Sequence, residues 1–193
     1  MKPGALASCG TILLAVMTTA APRAAKTHVF TDPADDTLVE SAADAYDLTS
    51  VEVSRRSSNV IRFVIPLKEE LPKTPPDGSG WKVFLDIDDD ATTGDTFIKG
   101  MGIDVYIVAT FAAARRKWEA VTIPRIPRLQ NTPFTIRHFR VRKTSVKLEI
   151  LSPAFISRDQ WKFVMEVWEG NRCVDRLPNE GTLRFPPAPA TGR

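Results

Sequence analysis

The sequence predicts an all-β protein of about nine short strands, arranged as two antiparallel sheets that pack face to face. Apolar and polar residues alternate through most of the chain, which is the period of half-buried strands rather than of helices. Turn-forming residues separate the alternating segments at short intervals. The predicted fold class is therefore an antiparallel two-sheet β-sandwich.

The strands follow from this alternation, one segment at a time. In the second of them Ile61, Phe63 and Ile65 share one face, and residues 56–59 form a turn that makes a hairpin with the first. Trp81 and Trp161 fall in the inward register of their own strands and are expected in the core. The predicted strands are residues 47–54, 60–67, 81–87, 102–111, 116–123, 134–141, 145–151, 161–169 and 182–185.

The first 25 residues have the order of a secretory signal peptide, with a positive charge at Lys2, an apolar run at 12–17 and small residues near Ala25. The alternative is a buried N-terminal helix. Residues 6–9 also spell a lipoprotein box, but the apolar run follows its cysteine instead of preceding it. The predicted organisation is a signal peptide at 1–25, a β-sandwich at 26–186 and a loose tail at 187–193, with a secreted or periplasmic location and no membrane span.

The charges are balanced in total but separated along the chain. Without residues 1–25 there are 24 basic and 23 acidic side chains, so net charge indicates no partner. Residues 32–104 hold 16 acidic and seven basic side chains, whereas residues 111–147 hold one acidic and ten basic. An acidic region around a cation site and arginines on solvent-facing strands would explain both halves.

Cys173 is the one cysteine left after the signal peptide, so the mature chain has no internal disulfide. It could link two copies, although a buried and inert thiol is the commoner case. The expected oligomeric state is a monomer or a weak dimer.

An aspartate-rich loop is the chemical centre of the sequence. Asp86, Asp88, Asp89, Asp90 and Asp95 place five carboxylates within ten residues, between two apolar strands. Such a cluster repels itself unless a hard cation neutralises it, and calcium accepts many oxygen ligands in irregular geometry. The loop lacks the EF-hand glycine and glutamate, and two histidines and one cysteine give no zinc spacing. A solvated acidic hairpin tip without metal is the alternative.

The run WKVFLDIDDDATTG at 81–94 and the run KGMGIDVYI at 99–107 resemble exported bacterial β-sandwiches related to carbohydrate-binding module family 9 and the DOMON-like superfamily. Residues 32–36, 47–51 and 174–181 are similar as well. The resemblance implies a jelly-roll-like sandwich, often with structural calcium, found as a sugar-binding or appended module and in some relatives as a haem-binding one. It also implies that Asp86, Asp88, Asp90 and Asp95 match the acidic loop and Asp104 the aspartate of the next strand, while Asp90 and Ala91 depart from the usual loop.

Three residues are candidates for a recognition surface. Trp168 alternates with Glu166 on the outward face of its strand, where an indole could stack on a sugar ring. Trp118 lies beside residues 115–117, so its indole could stack on a cation instead. Arg140 belongs to the basic strip 137–143, which fits an anionic surface polymer or lipid headgroup, or simply a solvated strand face; export argues against nucleic acid.

Catalytic motifs are missing from the sequence. There is no Gly-x-Ser-x-Gly elbow, histidine-based metal motif or phosphate loop. The expected function is a non-catalytic, calcium-stabilised domain that binds a polysaccharide or an envelope component. The alternatives are a haem or redox module, for which Met101 and His138 would be the axial candidates, and a small glycoside hydrolase.

Overall fold

The strands of this protein form two antiparallel sheets. The structure, a computed structural model, describes residues 26–33, 36–39 and 44–186. The predicted signal peptide and the predicted tail at 187–193 lie outside the described residues. The predicted fold class, an all-β sandwich, is confirmed. Within the described residues the strands are β1 Lys26–Thr31, β2 Ser50–Ser57, β3 Val60–Pro66, β4 Gly80–Asp86, β5 Val105–Ala112, β6 Lys117–Pro124, β7 Thr135–Arg142, β8 Ser145–Leu151, β9 Trp161–Glu169, β10 Arg172–Leu177 and β11 Leu183–Phe185.

The strands outnumber the nine predicted, because β1 and β10 were not predicted from the sequence. The helical pieces of the described residues are short: three 3-10 turns at Asp44–Tyr46, Ala113–Arg115 and Pro153–Phe155, and the α-helix α1 at Pro127–Gln130. None of the helices in the described part of the chain is long and apolar enough to cross a membrane.

The first sheet has five strands in the order β1-β2-β3-β8-β7, and the second has β10-β9-β4-β5-β6, with β11 also paired to β9. Every pairing is antiparallel. Strand β7 is therefore an edge of the five-stranded sheet, and β6 is an edge of the six-stranded sheet.

The core lies between the sheets because alternate residues of each strand point inward. In β3, Ile61, Phe63 and Ile65 are buried, whereas Arg62 and Val64 are partly exposed. The ring of Phe63 meets the rings of Trp161 and Phe163 edge-on across the sandwich, with centroids 6.1 Å and 5.9 Å away. Trp81 and Trp161 are 2% and 0% exposed, which confirms their predicted core positions.

A second, smaller apolar cluster covers the outward face of the six-stranded sheet. Phe84 of β4 and Val164 of β9 face away from the core, and Ile98, Met101 and Ile103 of the β4–β5 loop pack on them. The loop that contains the aspartates is therefore anchored by its own hydrophobic contacts. This anchoring fixes one end of the acidic cluster against the sheet.

Candidate metal site

Asp86 and Asp104 lie side by side because β4 and β5 are antiparallel neighbours. Asp86 is the last residue of β4, Asp104 directly precedes β5, and Leu85 pairs with Val105. The backbone N–H of Asp104 donates to the Leu85 carbonyl at 2.8 Å. The strand ends thus bring together two carboxylates that are 18 residues apart in the chain.

Asp88 joins them because the loop folds back over the strand ends. The backbone N–H groups of Ile87 and Asp88 donate to Asp104 Oδ2 at 2.8 Å and 3.3 Å. Asp88 Oδ1 accepts from the backbone N–H of Asp90 at 3.0 Å, a local turn typical of aspartate. The Thr93 hydroxyl lies 3.2 Å from both Asp88 carboxylate oxygens and 3.5 Å from Asp104 Oδ1.

The result is a compact group of three carboxylates. Asp86, Asp88 and Asp104 each offer one oxygen, and these oxygens lie within 4.8 Å of one another. Asp86 and Asp104 are 0% exposed. Asp86 Oδ1 is buried and finds no hydrogen-bond partner among the described residues, and a carboxylate oxygen out of reach of water is costly unless a cation or a donor meets it.

The pKa values of Asp86 and Asp104 are raised, as expected for buried carboxylates whose charge is not fully offset by neighbouring positive charge. Burial raises the pKa of Asp104 to about 6, against the hydrogen bond from Ile87, and the neighbouring charge of Asp86 adds to the rise. Burial likewise raises the pKa of Asp86 above its usual value. A divalent cation between them would reverse both shifts, because an adjacent positive charge favours the ionised carboxylate.

Basic side chains at the rim of the cluster offset part of its charge. Lys162 Nζ lies 2.7 Å from Asp89 Oδ1 and 3.8 Å from Asp86 Oδ2, and Arg128 pairs with Asp88 Oδ2. Asp88, Asp104, Arg128 and Arg158 line a depression of about 160 Å³, which gives an ion a path from solvent to the carboxylates. These basic residues come from distant segments, and no local sequence signal pointed to them.

Two of the five predicted ligands stand apart from the group. Asp90 is exposed, and its Oδ1 accepts from the backbone N–H of Thr92 at 2.9 Å and from the Thr92 hydroxyl. Asp95 Oδ2 accepts from the Tyr106 hydroxyl and from Arg125 Nε at 2.7 Å. The Tyr106 hydrogen bond, followed by that from Arg125, holds the pKa of Asp95 below its usual range.

Gly102 closes the loop over the carboxylates. Its backbone N–H points to Asp86 Oδ2 at 3.4 Å. A Cβ at this position would lie 2.2 Å from the carbonyl oxygens of both Asp90 and Thr93, so the residue must be glycine for the two loop segments to approach. This close contact holds the tip of the loop against its base.

The two tryptophans predicted for sugar binding have other neighbours. The Trp118 ring is partly buried, with centroids 5.2 Å from Trp81 and 5.4 Å from Phe111. The Trp168 indole faces outward, donates from Nε1 to Glu166 at 3.0 Å, and has Lys82 Nζ 3.1 Å from its ring centroid. The indole that carries a stacked cation is therefore that of Trp168 and not that of Trp118. The role of Trp168 in stacking on a sugar stays a prediction.

Arg140 is exposed on the outward face of β7. It lines a depression of about 230 Å³ together with Arg62, His138, Arg142, Lys147 and Glu149. The face belongs to the five-stranded sheet, whereas the aspartate cluster lies at one end of β4 and β5 in the other sheet.

The two residues considered as haem ligands lie on opposite faces of the sandwich. Met101 is 1% exposed in the cluster that covers the six-stranded sheet, and His138 is exposed on the five-stranded sheet. One iron could not bind both. Cys173 is half-buried, and burial raises the pKa of its thiol to about 11, which makes it a poor nucleophile at neutral pH.

A second acidic group, formed by Asp32, Asp36 and Asp175, lies near the start of the domain. Asp175 is 0% exposed, and its two oxygens accept backbone N–H bonds from Leu48 at 2.5 Å and from Arg176 at 2.7 Å. Burial, with the nearby charges of Asp36 and Asp175, raises the pKa of Asp32 to about 7. Among the described residues the backbone satisfies the Asp175 carboxylate, whereas Asp32 Oδ2 and Asp36 Oδ1 are buried without a hydrogen-bond partner, as Asp86 Oδ1 is.

Comparisons of the chain with protein-family models, with curated proteins and with solved structures find no match.

Proposed function

We propose that this chain is a calcium-stabilised, non-catalytic β-sandwich that recognises a polysaccharide or another cell-envelope component. The observation that carries the cation half is the buried Asp86 Oδ1: the described residues give it no hydrogen-bond partner, and its carboxylate is grouped with those of Asp88 and Asp104. An acidic cluster on a surface can be solvated, but an oxygen of a fully buried carboxylate cannot. A cation supplies what this oxygen lacks.

Calcium fits the ligand set better than zinc or magnesium. The donors are carboxylates, with the Thr93 hydroxyl beside them, and no histidine or cysteine takes part. Calcium tolerates irregular oxygen geometry, whereas magnesium demands near-octahedral geometry and zinc prefers nitrogen and sulfur. Asp86, Asp88 and Asp104 would bind the ion and tie the β4–β5 loop to the strand ends.

A recognition role rather than hydrolysis is supported by the burial of the same carboxylates. A glycoside hydrolase must place two carboxyl groups on either side of a glycosidic bond. Asp86 and Asp104 are 0% exposed, which leaves no room for a sugar between them. Ligand contact therefore falls to an exposed sheet face or a neighbouring loop.

Thermal melts with calcium and with a chelator test the cation half. At one hundred times Kd, calcium adds about 2.7 kcal/mol to the free energy of unfolding, which is a rise in Tm of roughly 5–10 °C for a domain of this size. Asp86→Asn should remove this response and raise the Tm in chelator, because a neutral amide replaces a buried charge. An unchanged Tm on calcium addition to the wild-type chain would refute the site.

Asp90→Asn is the matched control. It removes the same charge from the same loop, but the Asp90 side chain is exposed and bonds to Thr92. The variant should keep the calcium response. Binding to a glycan array tests the recognition half separately, and a chain that retains no glycan in either the calcium-loaded or the chelated state would refute that half.

A further inference from the structure

A row of basic side chains runs along the outward face of β7. His138, Arg140 and Arg142 are exposed at alternate positions of this edge strand. Because each residue of a strand advances the chain by about 3.3 Å, neighbouring members of the row lie about 7 Å apart. The row is therefore a linear array of donors on a flat sheet face.

The neighbouring strands extend this row into a basic face. Lys147 of β8 is directly opposite Arg140, and Glu149 of β8 lies between His138 and Arg62 of β3. Together these six residues line the depression of about 230 Å³. These six residues form the basic face of the sheet.

Most of its charge has no internal counter-ion. The one carboxylate of the set, Glu149, pairs with Arg62 and accepts from its Nε at 2.6 Å. In the described part of the chain, Arg140, Arg142 and Lys147 make no side-chain ion pair or hydrogen bond. Like charges directly opposite each other on neighbouring strands, as at Arg140 and Lys147, destabilise a sheet unless an anion lies between them.

The composition of the face points to a non-aromatic, water-soluble polyanion. Sites for single-stranded nucleic acid stack bases on aromatic rings, but Phe139 of β7 packs inward on the core and the basic face contains no aromatic ring besides His138. A membrane surface would be met by apolar side chains next to the basic ones. Among the described residues of this sheet, only one large apolar side chain is exposed, that of Val29 on β1. Strand β1 is at the opposite edge of the sheet from β7, so this side chain is not next to the basic face.

We propose that the basic face binds an acidic polysaccharide that runs along β7 and places its carboxylate or sulfate groups against Arg140, Arg142 and Lys147. The inference rests on the recognition half of the proposed function and names its ligand class. It is independent of the cation site, which lies in the other sheet.

Titration calorimetry in chelator, with heparin and with polygalacturonate added to the full chain, tests the inference. The double variant Arg140→Gln/Arg142→Gln should weaken binding about tenfold or more, and added salt should weaken binding of the wild type. The control Lys73→Gln/Arg116→Gln loses the same charge from exposed residues off this face and should change affinity less than about twofold. Melting curves of both variants report whether they are folded.

Three results would overturn the inference. The first is an equal loss of affinity in the two double variants, which would indicate general attraction to a charged chain. The second is tighter binding to single-stranded DNA or to vesicles of anionic phospholipid than to either polysaccharide. The third is no polyanion binding by the wild type; association of the Arg140→Gln/Arg142→Gln variant through its edge would then make the charges a protection against strand pairing. Retention of a neutral glycan by the wild type in any of these cases would leave the proposed function standing.

Discussion

The ammonium group of Lys82 lies 3.1 Å from the centroid of the Trp168 ring, on the outward face of the six-stranded sheet. Lys82 and Glu166 are paired across β4 and β9, and Glu166 accepts the indole N–H of Trp168 at 3.0 Å. Burial lowers the pKa of Lys82 from its usual value, while the charge of Glu166 opposes this effect. One face of the indole is thus occupied by a side chain of the protein itself.

Lys82→Ala should uncover this ring at a modest cost in stability. The cation–π contact is worth about 0.5–2 kcal/mol, and a double-mutant cycle of Lys82→Ala with Trp168→Leu should give a coupling energy in that range. Urea unfolding measures it. If Trp168 is a sugar platform, Lys82→Ala should also strengthen binding of neutral glycans, and weaker or unchanged binding would argue against that role.

Gly102→Ala should destabilise the loop and remove the calcium response together. Its Cβ would lie 2.2 Å from two carbonyl oxygens, so the backbone must move, at a cost of about 1–3 kcal/mol. The shift would displace the amide that faces Asp86. Urea unfolding with calcium and with chelator measures both effects.

Gly100→Ala is the control in the same loop. Apart from its two chain neighbours, no atom of the described residues lies within 4 Å of a Cβ there, and its positive φ of 78° predicts a cost of only about 1–2 kcal/mol. This variant should keep its response to calcium. A normal calcium response in Gly102→Ala would show that the close contact does not hold the site.

The strands and the acidic loop could be predicted because their signals are local. Alternation predicted a strand at 60–67, and the structure has one at Val60–Pro66. The predicted first strand, 47–54, is found three residues later at Ser50–Ser57, since the chain leaves a 3-10 turn at Asp44–Tyr46 before it extends. Strands β1 and β10 are six residues each and show little alternation, so they could be found only through their partners β2 and β9.

The roles of the individual aspartates could not be read in the same way. Asp86 and Asp90 are alike in sequence, yet one is buried beneath the loop and the other is exposed at its tip. The difference comes from the pairing of β4 with β5 and from backbone turns that no spacing rule encodes. Arg128 and Lys162 reach the site from α1 and β9, which is long-range information.

A pH dependence is expected from Asp32. Its folded-state pKa of about 7 lies above the usual 3.8, so the folded protein takes up a proton at a higher pH than the unfolded chain does. Above about pH 7 the ionised Asp32 lowers the free energy of unfolding by its full amount. This destabilisation is relieved as the pH falls from about 7 towards 4, where the carboxyl group of the folded protein is protonated. Asp32→Asn removes this penalty.

Urea unfolding in chelator, at about pH 8 and about pH 5, measures the effect. Asp32→Asn should stabilise the protein more at the higher pH than at the lower. The exposed Asp159 provides the control, because Asp159→Asn should have a small effect at both pH values. An equal effect of Asp32→Asn at both pH values would contradict the raised pKa.

Phe163→Ala tests whether the two sheets are joined mainly by the aromatic cluster. The Phe163 ring contacts those of Phe30 and Phe63 in the five-stranded sheet, with centroids 5.1 Å and 5.9 Å away, and Trp161 in its own sheet. Truncation should cost about 3–5 kcal/mol through lost burial and the cavity that remains. Ile156→Ala, at a side chain that is 57% exposed, should change stability by less than about 0.5 kcal/mol. If the alanine variant does not fold, Phe163→Leu provides the test, because leucine keeps most of the volume but loses the edge-on ring contacts. A loss of less than about 0.5 kcal/mol in Phe163→Leu would show that packing volume, and not the ring geometry, joins the sheets.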